Sequence, residues 1–185
     1  HSLNQRIQET HLMMNNETKN AFANMQNSFA SATAESGGGT PWPAAGEHQC
    51  YLIGIHTDTG EFRQSDGQMF PSATIQFEYE LCDDPDRPSP LQWRGAIFNL
   101  PTNPAQLVLD GSKKRAEIEM NRLKGHLTVL LGSEPTNMVA ALEQVSGMIQ
   151  SDQAVVCNVR CNYREVGDRT YKTEYIRELL SGAAS

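Results

Sequence analysis

The stretch ATIQFEYEL, residues 73–81, alternates apolar and polar side chains without interruption. Its odd-numbered positions are apolar or aromatic, and its even-numbered positions are Thr, Gln and Glu. Successive side chains of a strand point to opposite faces, so a period of two predicts an antiparallel strand with one face buried and the other in water. We therefore expect a domain built mainly from β-strands around this segment.

Four other segments also have the composition of strands. A first strand is predicted over residues 48–57, a third over 92–100, and two more over 154–163 and 170–177. The last two are separated by Gly167-Asp168, a pair that favours a tight turn. With residues 73–81 as the second strand, the sequence predicts five strands.

Helical periodicity lies between the third and fourth of these strands. Apolar residues recur at helical spacing from Ala116 to Leu130, with Ser112 as the predicted N-cap and Gly132 as the predicted end. A shorter helix is predicted over residues 136–146. Three strands, a helical insert and two strands is the order of an OB-fold, a small Greek-key barrel. The expected fold class is therefore α+β, mainly β with helices: a five-stranded OB-fold-like barrel with a helical insert between strands three and four, plus an N-terminal helix.

The N-terminal region is predicted to be a separate element. Residues 3–30 carry a narrow apolar stripe at helical spacing, which includes Phe22, Met25 and Phe29. Such a stripe favours pairing in a homo-oligomer or docking on a partner protein, although packing on its own domain is equally compatible. The predicted organisation is an amphipathic helix over 1–36, a flexible linker over 37–41, the OB-fold-like domain over 42–180 and a tail over 181–185.

Composition and charge bound the possible functions. No apolar run is long enough to cross a membrane as a helix. Residues 1–5 lack the basic and then apolar order of a secretory signal, so we expect a cytoplasmic protein, in the host cell if the chain is phage-encoded. The net charge of −7 is unevenly distributed: residues 1–84 hold three bases and eleven acids, whereas residues 85–185 hold twelve and eleven. A locally basic face is therefore compatible with an acidic chain.

Motifs for catalysis or metal binding are scarce. The sequence has no phosphate-binding loop, dinucleotide fingerprint, nucleophile elbow or zinc-protease motif. The four cysteines are Cys50, Cys82, Cys157 and Cys161. We expect them to be buried thiols and not disulfides or zinc ligands. Asp83, Asp84 and Asp86 could crowd a calcium ion, but among three prolines they are better interpreted as a solvated loop. The expectation is a protein without enzymatic activity, metal or cofactor.

A cationic and aromatic face is predicted on the last two strands. Alternation places Arg160 and Arg164 opposite Cys157 and Cys161 on the fourth strand. The predicted nucleic-acid contacts, including a second cluster at the start of the long helix, are Trp93, Arg94, Arg160, Arg164, Arg169, Tyr171, Lys172, Arg177, Lys113, Lys114 and Arg115. Cations can meet phosphates while rings stack on bases, as in single-strand binding. The alternative is a strand exterior made soluble by arginine, with Trp93 and the tyrosines in the core.

Several short motifs of residues 42–180 occur in the order typical of one protein family. They are Pro43 to Tyr51 at the entry of the first strand, Ile75 to Leu81, Arg94 to Leu100 followed by Asn103-Pro104, the helix end at Leu130-Leu-Gly132, and Val155 to Val159. By these motifs the chain resembles the phage-type OB-fold single-stranded DNA-binding proteins, first catalogued as a phage domain of unknown function. The lysine-rich loop of that family is here DTGEFR, residues 58–63. The resemblance implies a non-catalytic protein that binds single-stranded DNA in phage or prophage replication and recombination.

Two other classes of function are compatible with the sequence. A virion or assembly protein, with the barrel and helix serving protein contacts only, fits the acidic first half and the polar N-terminal helix. A nuclease or repair accessory enzyme with a carboxylate metal site is a third option. Binding to an oligonucleotide that weakens with salt distinguishes the first function from the assembly role, because phosphate contacts release counterions.

Overall fold

A computed structural model describes residues 15–32, 41–82 and 90–183 of the chain. The chain divides into two units, His1–Gly39 and Thr40–Ser185. The second unit is α+β and is built on a mainly antiparallel sheet, so the predicted fold class is confirmed at this level. Residues 1–14 and 33–36 of the predicted N-terminal helix and residues 37–40 of the predicted linker lie outside the described residues. So do the loop with Asp83, Asp84 and Asp86 and residues 184–185 of the predicted tail.

In the part of the chain that the structure describes, six strands form one sheet. They are β1 (Gly46–Arg63), β2 (Met69–Leu81), β3 (Gln92–Arg94), β4 (Phe98–Pro101), β5 (Val156–Val166) and β6 (Arg169–Ser181). The order is β3-β2-β1-β5-β6, and β4 also pairs with β2. All the pairings are antiparallel. Within the described ranges β6 does not pair with β3 or β4, so the sheet is not closed into a barrel.

The helices occupy the N-terminal unit and the insert between β4 and β5. They are α1 (Asn16–Asn24), α2 (Gln26–Ser31), a 3₁₀ turn (Pro104–Gln106), α3 (Asp110–Leu131) and α4 (Met138–Gln150). Helix α3 contacts both β4 and β6, and it thereby covers the open side of the sheet. In the parts of the chain described, no helix is long and apolar enough to cross a membrane.

The ends of α3 confirm one sequence prediction and correct another. Gly132 ends the helix in the left-handed region at φ 76°, and its N–H donates to the Thr128 carbonyl. The helix begins before Ser112, however, with Leu109 as N-cap. Ser112 is buried within the first turn and does not cap the helix.

The stretch at residues 73–81 has the predicted orientation. Ile75, Phe77 and Tyr79 are buried, whereas the Gln and Glu side chains between them are partly exposed. The Tyr79 ring stacks on Trp93 with ring centroids 4.5 Å apart. The hydrophobic core between the sheet and α3 is therefore organised by the alternation of β2.

The prediction of buried thiols is confirmed for three of the four cysteines. Cys50, Cys157 and Cys161 are buried, Cys82 is partly buried, and all four are free thiols. Burial raises the pKa of Cys157 to about 12, and the neighbouring Cys82 adds to this rise. Cys50, Cys157 and Cys161 belong to the hydrophobic core, and burial raises the pKa of each, so these three thiols are packing groups and not reactive thiolates.

The predicted third strand is interrupted. Residues 92–100 form β3 and β4 with a break between them, and the Gly95 N–H donates to the Phe77 carbonyl at 2.9 Å. The next N–H, of Ala96, donates to the Glu174 carboxylate of β6 at 2.9 Å. The Glu174 side chain thus joins the last strand to the third, where a closed barrel would have a ladder of backbone hydrogen bonds.

Candidate nucleic-acid interface

Strands β5 and β6 form a hairpin that extends beyond the neighbouring strand. Pairing of β1 with β5 ends at Gly46 opposite Cys161, whereas β5 and β6 stay paired as far as Val166 opposite Arg169. Residues 162–171 are all exposed. The hairpin therefore presents solvent-accessible faces that no third strand covers within the described residues.

One face of this hairpin combines arginines with tyrosines. Arg160 lies opposite Tyr175 and Arg164 lies opposite Tyr171. Directly opposite residues share a face, with Cβ atoms about 4.5–5.5 Å apart. The Arg164 guanidinium carbon lies 5.7 Å from the Tyr171 ring centroid, within the range of a cation–π contact. Arg169 adds a third cation at the tip; we call these five residues the arginine–tyrosine face.

The exposure of this face matches the sequence prediction for β5. Arg160 and Arg164 are exposed, and Cys157 and Cys161 on the other side of the strand are buried. Tyr171 and Tyr175 keep 45% and 39% of their surface in contact with solvent. The face therefore offers exposed cations and accessible rings, which is what contact with phosphates and bases requires, although Arg160 also donates to Asn162 and lies opposite Glu47 of β1.

Lys172 lies on the opposite face of the hairpin. The register places Lys172 across from Tyr163, and its ammonium nitrogen is 5.8 Å from the Tyr163 ring centroid. The Tyr163 hydroxyl donates a hydrogen bond to the Pro43 carbonyl, and the Tyr163 ring lies 6.4 Å from that of Trp42. The sequence grouped Lys172 with Arg160 and Arg164 because the strand register was unknown; the structure separates them.

Trp93 is excluded from the interface by burial. Only 1% of its surface is exposed, and its ring packs on Tyr79 and on Trp42. The prediction that Trp93 contacts nucleic acid is therefore wrong, because a base cannot reach the ring. The alternative weighed from the sequence, with Trp93 in the core, is the one observed.

Arg94 is exposed on β3. It lies opposite Glu78, whose carboxylate oxygen is 2.8 Å from Nε2 of His56. Along the sheet β2 and β1 separate β3 from β5, but the Ala96 amide, two residues after Arg94, donates to Glu174 of β6. Arg94 is therefore a cation next to acidic side chains, close in sequence to the point where β6 contacts the third-strand region.

The cations at the start of α3 have different surroundings. The Arg115 guanidinium donates to the Arg63 carbonyl and lies 4.3 Å over the Phe62 ring. These two contacts of Arg115 connect α3 to the end of β1. They explain why a cation lies near the start of this helix, where the helix dipole disfavours positive charge. Lys113 and Lys114 are exposed, and Lys114 lies 4.0 Å from Glu117.

Arg177 occupies a different position again. It is exposed on β6, where it borders a shallow groove between this strand and the Asn121 and Gly125 positions of α3. The groove is also bordered by Tyr175. Arg177 can therefore extend the arginine–tyrosine face toward α3.

A buried polar cluster behind this face was missed in the sequence. Glu174 is fully buried, and its carboxylate lies 3.4 Å from the Arg122 guanidinium of α3. Arg122 also contacts Glu119 at 3.3 Å and lies 3.7 Å over the Phe98 ring. Burial raises the pKa of Glu174, while the Ala96 amide and Arg122 act in the opposite direction. The sequence signal was the position of Glu174 two residues before Ile176, on the same, apolar face of the strand.

His126 sits in the same cluster as a neutral ring. Its ring centroid lies 5.3 Å from that of Phe77 and 5.2 Å from that of Phe98. Burial, assisted by the nearby Arg122, lowers the pKa of His126 to about 3 from the usual 6.5. In the unfolded chain His126 therefore binds a proton below about pH 6.5, whereas in the folded chain it stays neutral down to about pH 3. The free energy of unfolding consequently falls as the pH falls through this window.

Replacing His126 with Phe is expected to remove this acid sensitivity. The wild type should lose about 2 kcal/mol relative to His126→Phe between pH 7.5 and pH 5.0, at 1.36 kcal/mol per unit of differential titration. Urea unfolding at both pH values measures the difference. The Glu174 contribution has the opposite sign and is present in both proteins, so it cancels in the comparison. The same pH dependence of the unfolding free energy in the two proteins would show that the acid sensitivity does not come from His126.

No family model, curated protein or solved structure matches this chain. Among residues 15–32, 41–82 and 90–183, no group of three His, Cys, Asp or Glu side chains is placed to hold a metal ion. The geometry of the hairpin and the sequence resemblance are therefore the grounds for a functional assignment.

Proposed function

We propose that this chain is a non-catalytic single-stranded DNA-binding protein acting in phage or prophage DNA replication and recombination. The observation that carries the proposal is the arginine–tyrosine face, on which Arg160 and Arg164 alternate with exposed rings of the paired strand. Guanidinium groups bind phosphates, and tyrosine rings stack on bases that a duplex would keep paired. The two groups together favour a single strand over a duplex.

The strand order supports an OB-fold-like barrel as the scaffold. β1 lies between β2 and β5, and the hydrogen bond from Ala96 to Glu174 joins the third-strand region to β6. Helix α3 contacts the two strands on either side of this gap. These features fit a partly open five-stranded Greek-key barrel, with β3 and β4 as halves of one interrupted strand.

The distribution of charge favours the hairpin as the binding site. Residues 160–177 hold five cations and three acids, and one of these acids, Glu174, is buried against Arg122. The outer positions of β2 carry Glu78 and Glu80 instead. An anionic strand is therefore attracted to the hairpin and repelled from β2. At ordinary salt the electrostatic field of the charges on each surface is screened within about 10 Å.

The test is the salt dependence of oligonucleotide binding. Fluorescence anisotropy of a labelled oligothymidine at a series of salt concentrations should give a log affinity that falls linearly with log salt. A slope near zero, or undetectable binding at low salt, would contradict the proposal. That result would favour the virion or assembly role, in which the barrel makes only protein contacts.

Helices α1 and α2 favour an additional role in protein assembly. Phe22, Met25 and Phe29 are spaced as on one helical face, and all three are exposed, Phe29 by 77%. Within residues 15–32 the only charged side chains are Glu17 and Lys19. Helices this short are marginal in isolation. Lys19, three residues before Phe22, is the charge next to this face. A second copy of the segment can cover the three apolar side chains with Lys19 at the edge, so we propose self-association through this segment.

Removing residues 1–39 is expected to lower the number of subunits without unfolding the remaining unit. Light scattering of the full-length and truncated proteins measures the subunit count, and thermal unfolding monitors the barrel. The variant Phe22→Ser/Phe29→Ser should give the same loss of association in the full-length chain, and Asn20→Ser is a control at a nearby polar position. An unchanged subunit count would contradict self-association.

A further inference from the structure

The groove between α3 and β6 lies next to the hairpin, and we call it the α3–β6 groove. Ile118, Gly125 and Val129 of α3 border one side of it, and Tyr175 and Arg177 of β6 border the other. Its volume is about 490 Å³, a size typical of sites for small molecules, which are roughly 300–1,000 Å³. Because Tyr175 also belongs to the arginine–tyrosine face, the groove continues that face toward α3.

Gly125 leaves space on the helix side of the groove. It lies in the interior of α3, and a Cβ atom at this position would meet nothing within 4 Å. Ile118 and Val129, seven residues before it and four residues after it, lie on the same side of the helix. Glycine permits the close approach of a ligand to the backbone. The helix therefore offers an apolar surface that a flat group can approach closely.

A β-bulge lies on the strand side of the groove. Asn158 pairs with Glu178 and Val159 pairs with Ile176, so Arg177 has no residue directly opposite. A bulge changes the direction in which a side chain points. Arg177 is exposed, and within residues 15–32, 41–82 and 90–183 it forms no ion pair. Its guanidinium is therefore available to a phosphate.

The residues that border the groove fit a nucleotide. Of those that the structure describes, none is acidic. Arg122 also borders the groove, but it is buried and its charge is balanced by Glu119 and Glu174. Asn121 is exposed and offers both a donor and an acceptor to the edge of a base. An apolar surface with an unpaired cation beside it matches a base, whose faces are flat and apolar, and the phosphate attached to it.

We infer that the α3–β6 groove binds one nucleotide of the strand that lies on the arginine–tyrosine face, with the base over Gly125 and the phosphate on Arg177. The inference rests on the proposed DNA-binding function and adds α3 to its interface. The strand passes Tyr175 and ends its contact on the helix. Only a strand long enough to extend beyond the hairpin therefore reaches the groove.

The test measures affinity as a function of oligothymidine length in a variant whose groove is filled. Gly125→Leu adds a side chain where a Cβ atom has free space, and leucine forms helices better than glycine, so the variant should fold. Lengths of about 4 to 16 nucleotides cover the site sizes of single-strand-binding domains. Gly125→Leu should bind the shortest oligonucleotides as the wild type does and the longest about tenfold more weakly, a loss that corresponds to one base contact.

Two further variants test the assignment of the two sides of the groove. Gly147→Leu places the same side chain at an equally open position of α4, and it should bind like the wild type at every length. Arg177→Ala should weaken binding of the longest oligonucleotides by about tenfold and flatten their salt slope by about 0.7, the value for one phosphate contact on a single strand. The shortest oligonucleotides should bind Arg177→Ala and the wild type equally.

The outcomes distinguish this inference from the proposed function. Equal affinities of Gly125→Leu and the wild type at every length would overturn the inference and leave DNA binding intact. An equal loss at every length would also overturn it, because the substitution would then act on the hairpin itself. If the wild type binds no oligonucleotide at low salt, the proposed function fails and the inference fails with it.

Discussion

Replacing Arg160, Arg164 and Arg169 together with alanine is expected to weaken binding of single-stranded DNA at low salt by about 100-fold or more. Hydrogen bonds to charged groups are worth about 1.5–3 kcal/mol each, and each 1.4 kcal/mol is a factor of ten. The salt dependence should also change, because each lost phosphate contact flattens the log–log slope by about 0.7 on single strands. Three lost contacts therefore predict a slope smaller by about 2.

The matched control removes three cations from other surfaces. Lys113→Ala/Lys114→Ala/Lys172→Ala changes the net charge by the same amount, but two of its positions are on α3 and the third is on the opposite face of the hairpin. The control should weaken binding much less than the arginine variant. The arginine variant should melt close to the wild type, since exposed substitutions usually change stability by less than about 0.5 kcal/mol. The control should do so nearly as well, because Lys113 and Lys114 are exposed and Lys172 is partly exposed. If the control loses binding and the arginine variant keeps it, the interface lies at the start of α3 or on the hairpin face that carries Lys172, and Lys172→Ala alone distinguishes the two.

The prediction of the hairpin face from the sequence depended on local periodicity. Alternation along a single strand requires only the direction of successive side chains, so the exposure of Arg160 and Arg164 against buried Cys157 and Cys161 was predictable. The same argument identified the buried face of β2 from residues 73–81. Both results concern one strand at a time.

The errors concern pairs of strands and long-range packing. The face of Lys172 depends on the register between β5 and β6, where a shift of one residue moves a side chain to the other face. The burial of Trp93 depends on Tyr79 and Trp42, which are distant in sequence. The break in the third strand depends on Glu174, which comes 78 residues after the Ala96 amide that it accepts from. The local pattern shows only that Glu174 lies on the apolar face of its strand, and it does not show which group any of these side chains contacts.

Replacing Gly95 with alanine is expected to destabilise the protein by about 3–5 kcal/mol, the range found when a buried charge pair loses a partner. A Cβ atom at this position would lie 1.6 Å from Oε2 of Glu174 and 2.4 Å from its carboxyl carbon. The carboxylate is fully buried and held by the Ala96 amide and by Arg122, so it cannot move aside into water. The methyl group must therefore break the contact that joins β6 to the third-strand region. Urea unfolding measures the loss.

A glycine without such a neighbour provides the control. A Cβ atom at Gly147 of α4 would meet nothing within 4 Å. Gly147→Ala is therefore expected to stabilise the protein by about 0.5–1 kcal/mol, because alanine is the better residue inside a helix. If Gly95→Ala lowers the free energy of unfolding and Gly147→Ala raises it, the cost at Gly95 comes from its surroundings and not from the loss of glycine itself.

A double-mutant cycle then identifies the surroundings as Glu174. Glu174→Ala alone should be destabilising, because Arg122 remains buried without this partner. In that background the added methyl at position 95 enters the space left by the carboxylate, so Gly95→Ala should cost much less than in the wild type. The expected coupling is about 2–3 kcal/mol, at the upper end for residues in direct contact. Additive effects would mean that Gly95 is required for a reason other than Glu174, and the side-chain bridge between β6 and the third-strand region would lose its assigned role.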